Sequence, residues 1–300
     1  MAFFFLDFAE CWDYGEERIS EVAHFLKSKG QTVGVHVHPD HMADKSREFL
    51  WEYDAIEQRE ILEKVTIKYE EIMGIRPRYF RAGKYSANNE TLQIIEGLGY
   101  SFDFSEFYGR NWCQIDPPVT ADRLCMVGNL LEVPVTSFVA FRAMGFERVD
   151  KIDMEMSPSV FRYITKKFAK NNNGQVISLF GHSFSFVGNR YSEDMSELFY
   201  DYKNKEKFES ALRMVERSRN ISLISPNDFE RLYDAGELSI ELRNTTPSVV
   251  IKNPVMSVVY FYATAWRIRG FNRKAKLLIE SSGVLFALLC ASIVALFSLL

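Results

Sequence analysis

The chain has 300 residues, with 36 Lys and Arg against 40 Asp and Glu, which gives a formal net charge of −4. Hydrophobic residues make up 47% and charged residues 25%, a balance that excludes intrinsic disorder and a polybasic nucleic-acid-binding protein. The four cysteines form neither a close pair nor a Cys-x-x-Cys motif, so neither a disulfide scaffold nor a cysteine-built zinc site is indicated.

The first residues predict a buried strand rather than a targeting signal. Met1 to Phe8 is too short for a cleaved signal peptide and has no basic leader. The apolar run Ala2 to Leu6 is typical of a buried strand, and such a strand needs neighbours on both sides. We therefore expect a further strand upstream of this sequence.

Helical and extended patterns then alternate along the chain. Helices are predicted around 19–26, 54–73, 90–97, 160–170 and 205–217. Extended segments are predicted at 2–6, 33–38, 79–82, 100–105, 131–136, 176–182 and 221–224. This alternation predicts a parallel α/β architecture, either a closed or partly closed barrel or an open doubly wound sheet. We expect this domain to span 1–240, followed by a connector over 241–280.

The last twenty residues have the composition of a membrane segment. Residues 281–300 carry no charged side chain and read VLFALLCASIVALFSLL from Val284. As a helix this stretch would rise about 30 Å, the thickness of a bilayer core. Five Arg and Lys residues between 267 and 276 would hold the preceding domain on the cytoplasmic side. The prediction is a transmembrane or tail-anchor helix on a membrane-associated or cytoplasmic protein, with a buried C-terminal helix as the alternative.

Three of the five histidines lie in the segment VGVHVHPDH, residues 33–41. In a strand His36 and His38 share one face, and Pro39 ends the strand, which places both at its carboxyl end. Active sites of barrel and open α/β folds are built at that edge. Two imidazoles and a carboxylate could hold Zn, Co or Ni in a hydrolytic centre. His41 is an alternative ligand, and hydrogen-bonded strand-end histidines are the structural alternative.

Two further residues are candidates for catalysis. His182 ends the predicted strand 176–182 and would reach the same rim, where an imidazole can act as general acid for a departing amine. Arg81 lies at the end of the short strand predicted at 79–82 and precedes the Gly83 turn. From this position a guanidinium could hold a catalytic carboxylate ionised. The alternative for His182 is a hydrogen-bonded histidine under an aromatic loop. The alternative for Arg81 is a structural ion pair.

Five segments follow one another in a fixed order along residues 3–230. They read FFFLDFAE, GVHVHPD, YFRAGKYSANNETL with LGYSFDFS, LLEVPVT, and LFGHSFSF. Together they resemble the polysaccharide deacetylases, the NodB-homology carbohydrate esterases, and especially the bacterial branch with a His-x-His-Pro motif. The resemblance implies a distorted, incomplete (β/α) barrel with metal-dependent hydrolysis of an N-acetyl group on a sugar.

The resemblance also implies roles for individual residues. His36 and His38 would hold the metal, which would be a divalent ion, Zn or else Co or Ni. Arg81 would tether the catalytic base, and His182 would be the general acid. Three residues are implied as candidates for binding substrate at the cleft wall: Tyr85, Asp103 and Trp112.

The sequence departs from the family at its beginning. The family carries an Asp pair, one the base and one a metal ligand, on a strand upstream of the segment matched here by FFFLDF. Asp7 and Glu10 are the nearest carboxylates, but they follow the strand that matches the family's second one, so these roles are not assigned to them. With an incomplete ligand set, the chain as written could be inactive.

Two functions follow from these observations. The first is a metal-dependent hydrolase that removes N-acetyl groups from a polysaccharide or glycan precursor, with the glycan and the membrane as partners and no nucleic acid. The alternative is a non-catalytic, membrane-tethered glycan-binding or scaffold protein of polysaccharide assembly.

Overall fold

A computed structural model describes residues 1–143, 146–171, 175–189 and 194–251. The chain divides into two compact units. The first comprises Met1–Ser137, Ala169–Phe180 and Val215–Ser248, and the second Phe138–Phe168, Gly181–Met214 and the chain from Val249. The predicted membrane helix at 281–300 and most of the predicted connector at 241–280 lie outside the described residues.

The regular elements alternate much as the sequence predicts. The strands are β1 (Phe3–Asp7), β2 (Thr32–Val37), β3 (Tyr79–Ala82), β4 (Phe102–Asp103), β5 (Leu124–Val127), β6 (Leu130–Glu132), β7 (Ser137–Ala143), β8 (Phe146–Lys151), β9 (Val187–Gly188), β10 (Phe199–Tyr200) and β11 (Ile240–Glu241). The helices are α1 (Glu10–Tyr14), α2 (Glu16–Ser28), α3 (Ala55–Met73), α4 (Asn89–Gly97), α5 (Pro158–Asn171), α6 (Tyr202–Glu216) and α7 (Pro226–Asp234).

The first unit is built on a seven-stranded sheet in the order β1-β2-β3-β4-β6-β5-β11. All neighbouring strands are parallel except β5 and β6, which are antiparallel. The α/β class with a parallel sheet is therefore confirmed. The expected barrel closure is not shown, because β1 and β11 end the sheet without pairing with each other within the described residues.

The two faces of β2 explain how the sheet is packed. Val35 and Val37 belong to a buried cluster that includes Leu62 of α3. On the other face, a Cβ added to Gly34 would come within 2.8 Å of the Phe5 ring, so a larger residue there would displace it. A glycine in the middle of a strand thus lets an aromatic ring pack on the sheet.

Local signals fix the ends of α3. The Asp54 side chain accepts the main-chain N–H groups of Ile56 and Glu57, and Glu57 reaches back to the main-chain N–H of Asp54. Gly74 ends the helix in the left-handed conformation, with φ 70°. A capping box at one end and a glycine at the other are the signals that predict these bounds from sequence.

Two predicted strands are wrong. Residues 176–182 form no regular strand; Ser178 instead donates its main-chain N–H to the Thr136 hydroxyl at 2.8 Å. Residues 221–224 are also irregular, and Leu223 is 52% exposed, so this apolar run is not buried in a sheet. The strand predicted at 131–136 is shorter, since β6 ends at Glu132.

The second unit contains the β7–β8 and β9–β10 pairs. Its helix α5 buries Val160, Phe161, Ile164 and Phe168 on one side, which matches the 3.6-residue period predicted for this segment. Across the described residues of both units, no helix is both long enough and apolar enough to span a bilayer.

Candidate metal centre

The carboxyl ends of β1 and β2 bring an aspartate beside the histidine segment. Asp7 is the register partner of His36 in the parallel pair, and it is 7% exposed. Its Oδ1 accepts the Ala9 main-chain N–H at 3.0 Å, and its Oδ2 accepts the His38 main-chain N–H at 3.1 Å. Burial raises the pKa of Asp7 well above its usual range, and the charge of Glu10 raises it further. A buried carboxylate of this kind favours a nearby cation.

Asp7, Glu10 and His41 place one ligand atom each within 4.8 Å of one another. Asp7 ends β1, Glu10 begins α1, and His41 lies in the 3-10 turn that follows β2. Burial also raises the pKa of Glu10, while the charge of His41 lowers it. Two carboxylates and an imidazole form a donor set typical of divalent metal sites.

A second carboxylate orients His41. Its Nδ1 lies 2.8 Å from Oδ2 of Asp13, and a carboxylate can only accept, so Nδ1 carries the proton. Nε2 is then the nitrogen with the ligating lone pair in the neutral ring. Carboxylate–histidine pairs of this kind support histidine ligands in metal sites. Asp13 also pairs with Lys45 at 2.7 Å, and these two contacts lower the pKa of Asp13.

The two predicted ligands, His36 and His38, lie next to this cluster. They are not among the three residues whose ligand atoms converge. Their ring centroids are 5.0 Å apart, and those of His38 and His41 are 6.1 Å apart. His36 donates from Nδ1 to the main-chain oxygen of Arg81 at 2.7 Å, which leaves Nε2 as its acceptor nitrogen. Burial lowers the pKa of His38 to about 4, so its ring is neutral near neutral pH.

Asp40 supplies a further buried oxygen. Its Oδ1 is buried and has no hydrogen-bond partner within the described residues. The charge of Asp40 adds to the effect of burial on the pKa of Asp7 and partly opposes the larger lowering by burial of the pKa of His38. A buried acceptor without a donor is costly unless a cation or water satisfies it. The residues present therefore fit a divalent metal ion.

Arg81 does not tether a carboxylate in the described part of the chain. Its Nε donates to the main-chain oxygen of Phe104 at 3.1 Å, and its guanidinium carbon lies 4.7 Å from the Phe5 ring centroid. The rings of Tyr85 and Phe180 are 5.9 Å and 5.4 Å away. Burial lowers the pKa of Arg81. Its described contacts are thus with aromatic faces and a carbonyl.

The three residues predicted at a cleft wall have different surroundings. Asp103 is fully buried and accepts the Ser105 hydroxyl at 2.6 Å, so it belongs to the interior instead. Tyr85 is 8% exposed and packs edge to face against Phe107, which also places it inside. Trp112 is 52% exposed, and its position at a substrate-binding surface stays a prediction.

His182 belongs to the second unit. It precedes a 3-10 helix, Ser183–Phe186, and its exposed ring stacks on Phe184 with centroids 4.3 Å apart. Its main-chain oxygen accepts the N–H of Ser185 at 3.0 Å. Its role as general acid stays a prediction.

Asp7, Glu10 and Asp13 have no role assigned from the sequence. Glu10 and Asp13 are three residues apart on α1, a spacing that puts both on one helical face. A strand ending in Asp, followed at that spacing by two acidic residues, is the signal that could have pointed to them. His41 was considered only as an alternative ligand.

Comparison with known proteins finds a likeness to a solved structure. No protein-family profile matches the chain, and no curated protein matches it. The chain resembles a crystal structure from Mycobacterium smegmatis described as a "putative polysaccharide deacetylase", with 16% sequence identity and a TM-score of 0.48. The similarity covers 80% of this chain and 73% of that one.

Proposed function

We propose that the chain is a metal-dependent hydrolase whose metal ion is held by Asp7, Glu10 and His41. The observation that carries this proposal is the convergence of these three ligand atoms within 4.8 Å at the carboxyl end of β1 and β2. Asp13 supports the site because it fixes the tautomer of His41. His36 and His38, the ligands expected from the sequence, lie beside the cluster and are the alternative set.

The ligand set suits a divalent ion such as Zn, Co or Ni. It is also typical of an open, catalytic site rather than a closed, structural one. Two carboxylates and one imidazole leave coordination positions open, as in catalytic rather than structural metal sites. A divalent ion bound there supplies Lewis acidity toward an acyl carbonyl and toward water. The chain itself orders the loops that carry the ligands: Asp7 accepts the N–H groups of Ala9 and His38, one from each loop.

We further propose that the bond hydrolysed is the amide of an N-acetyl group on a glycan. Support for this substrate comes from the order of the five sequence segments that resemble the polysaccharide deacetylases. In this reaction the elements of water add across the amide C–N bond, which breaks: OH goes to the acyl carbon to give acetate, and H goes to the nitrogen to give the free amino sugar. His182 is proposed as the acid that protonates the amine, whereas no role is proposed for Arg81, whose described contacts are with aromatic rings and a carbonyl.

Metal content of the purified full-length chain tests the site. After dialysis, elemental analysis should give about one equivalent of divalent metal, and His41→Ala and Glu10→Gln should each abolish it. His24→Ala is the matched control, because His24 bonds to the Ile72 main-chain oxygen on another helix. Loss of metal in His36→Ala and His38→Ala but not in His41→Ala would instead assign the ligands predicted from the sequence.

Acetate release tests the reaction. The chain loaded with Zn, Co or Ni should release acetate from N-acetylated oligosaccharides, and His41→Ala should stop it. A chain that binds no metal and releases no acetate would leave the glycan-binding or scaffold function as the better interpretation.

A further inference from the structure

Three aromatic residues from two loops lie together at the surface of the first unit. Phe49 and Trp51 stack with their centroids 5.0 Å apart and their planes 12° apart, and both are half-buried. The indole N–H of Trp51 donates to the main-chain oxygen of Trp112 at 3.0 Å, and Trp112 is 52% exposed. We refer to Phe49, Trp51 and Trp112 as the aromatic platform.

The loop that carries Phe49 and Trp51 is hydrogen-bonded to the turn that lies against His38. Leu50 donates its main-chain N–H to the Ser86 hydroxyl at 3.0 Å, and that hydroxyl donates to the Gly83 oxygen at 2.7 Å. A Cβ on Gly83 would come within 2.8 Å of the His38 ring, so glycine is required for this close approach. One turn therefore positions both the platform and His38.

That turn is strained and bears a charged pair. Lys84 and Tyr85 both have positive φ, 52° and 58°, a conformation that side chains other than glycine adopt at a cost. Lys84 forms an ion pair with Glu48, and its Nζ lies 5.6 Å from the Phe49 ring centroid. Strain of this kind persists where the surrounding structure holds it, often at ligand sites. The Lys84 ammonium therefore lies over the Phe49 ring, on which Trp51 also stacks.

We infer that the aromatic platform binds a pyranose ring of a saccharide, beside the centre that holds the acetyl group. This inference rests on the proposed function for its choice of ligand. The flat C–H face of a pyranose is apolar and fits against an aromatic face, while its rim of hydroxyls needs hydrogen-bonding groups at the edge. The Trp51 ring, which stacks on Phe49, supplies the face, and the Lys84–Glu48 pair beside it supplies hydrogen-bonding groups. Ligand sites commonly combine aromatic walls with a few polar groups in this way.

Isothermal titration calorimetry on the full-length, metal-free chain tests the platform. The probes are chitotetraose, which carries N-acetyl groups, and cellotetraose, which lacks them but offers the same pyranose faces. Trp51→Ala should weaken binding of both about tenfold, whereas Trp51→Tyr should keep most of the affinity. Phe25→Ala is the matched control for Phe49→Ala, because Phe25 is exposed and also has a lysine Nζ over its ring, at 5.5 Å.

The outcomes separate the platform from the hydrolase. A wild-type chain that binds neither probe, or a Trp51→Ala variant that binds as tightly as wild type, would overturn the platform. Trp51-dependent binding by a chain that takes up no metal would support the platform and refute the hydrolase. Metal uptake and acetate release by a chain whose saccharide binding is unaffected by Trp51→Ala would support the hydrolase and refute the platform. Loss of binding in both Phe49→Ala and Phe25→Ala would also count against it, since the site would then not be local.

Discussion

Three buried carboxyl groups predict that the chain loses stability as pH rises. Asp103 and Glu132 are register partners in β4 and β6; burial raises the pKa of Glu132 well above its usual range, and the charge of Asp103 raises it further. Glu132 also accepts the main-chain N–H of Glu106 at 3.0 Å. Glu106 in turn accepts the N–H groups of Val119 and Thr120, at 2.8 and 3.0 Å. All three carboxyl groups are at most 1% exposed.

The size of this loss of stability is worked out for Glu106. Burial raises its pKa from 4.5 to about 8, so between these values the folded chain keeps a proton that the unfolded chain has released. Its contribution to stability is complete below pH 4.5 and is lost as pH rises through 8. The interval corresponds to about 5 kcal/mol, or about 1.4 kcal/mol for each pH unit. Burial raises the pKa of Asp103 in the same direction.

Urea unfolding followed by circular dichroism at pH 5.5 and 7.5 measures this loss. For the wild type, Glu106 should lower the free energy of unfolding by about 3 kcal/mol between the two pH values. Glu106→Gln should cost about 1–2 kcal/mol at pH 5.5, because the amide oxygen can replace only one of the two accepting oxygens and the NH2 group cannot accept the other main-chain N–H, but it should remove that pH dependence. Glu17→Gln makes the same chemical substitution at an exposed position and should leave the dependence intact. Parallel pH profiles for wild type and Glu106→Gln would refute the reasoning.

Three further substitutions test the site and the fold. Gly83→Ala would force a Cβ to within 2.8 Å of the His38 ring and should destabilise the chain by about 2–4 kcal/mol in urea unfolding; an unchanged midpoint would contradict the close approach. Asp13→Asn removes the carboxylate that orients His41 and should weaken metal binding about 10–100-fold in a calorimetric titration, while unchanged affinity would exclude His41 as an oriented ligand. Asp54→Ala removes the cap of α3 and should cost about 1 kcal/mol of unfolding free energy, with Asp54→Asn as the variant expected to recover most of it.

Elements with local signals could be predicted from the sequence. β3 spans Tyr79–Ala82 as predicted, because an apolar run between Pro77 and Gly83 is punctuated at both ends. α3 begins after Asp54 and ends before Gly74, the two residues that predict its caps. Segments that need a distant partner were less predictable. The apolar run at 221–224 has strand composition, but no strand pairs with it in the described residues.

The candidate site was predictable only in its location. His36 and His38 do lie at the carboxyl end of β2, as the two-residue period and Pro39 predict. The ligand set depends instead on the register of β1 against β2, which puts Asp7 beside His36, and on the turn that returns His41 toward α1. Neither the register nor the turn can be read from composition or spacing.

Asp7 links the order of two loops to the binding of a metal ion. Each of its carboxylate oxygens accepts one main-chain N–H, from Ala9 before α1 and from His38 before the turn that carries His41. A carboxylate oxygen offers two lone-pair positions, so each oxygen that accepts one N–H can still ligate a cation. Without a cation, burial and the charge of Glu10 disfavour the ionised form of Asp7 and raise its pKa, which weakens its hold on both loops. A bound cation would favour the ionised form, so metal binding and the ordering of the loops should strengthen each other.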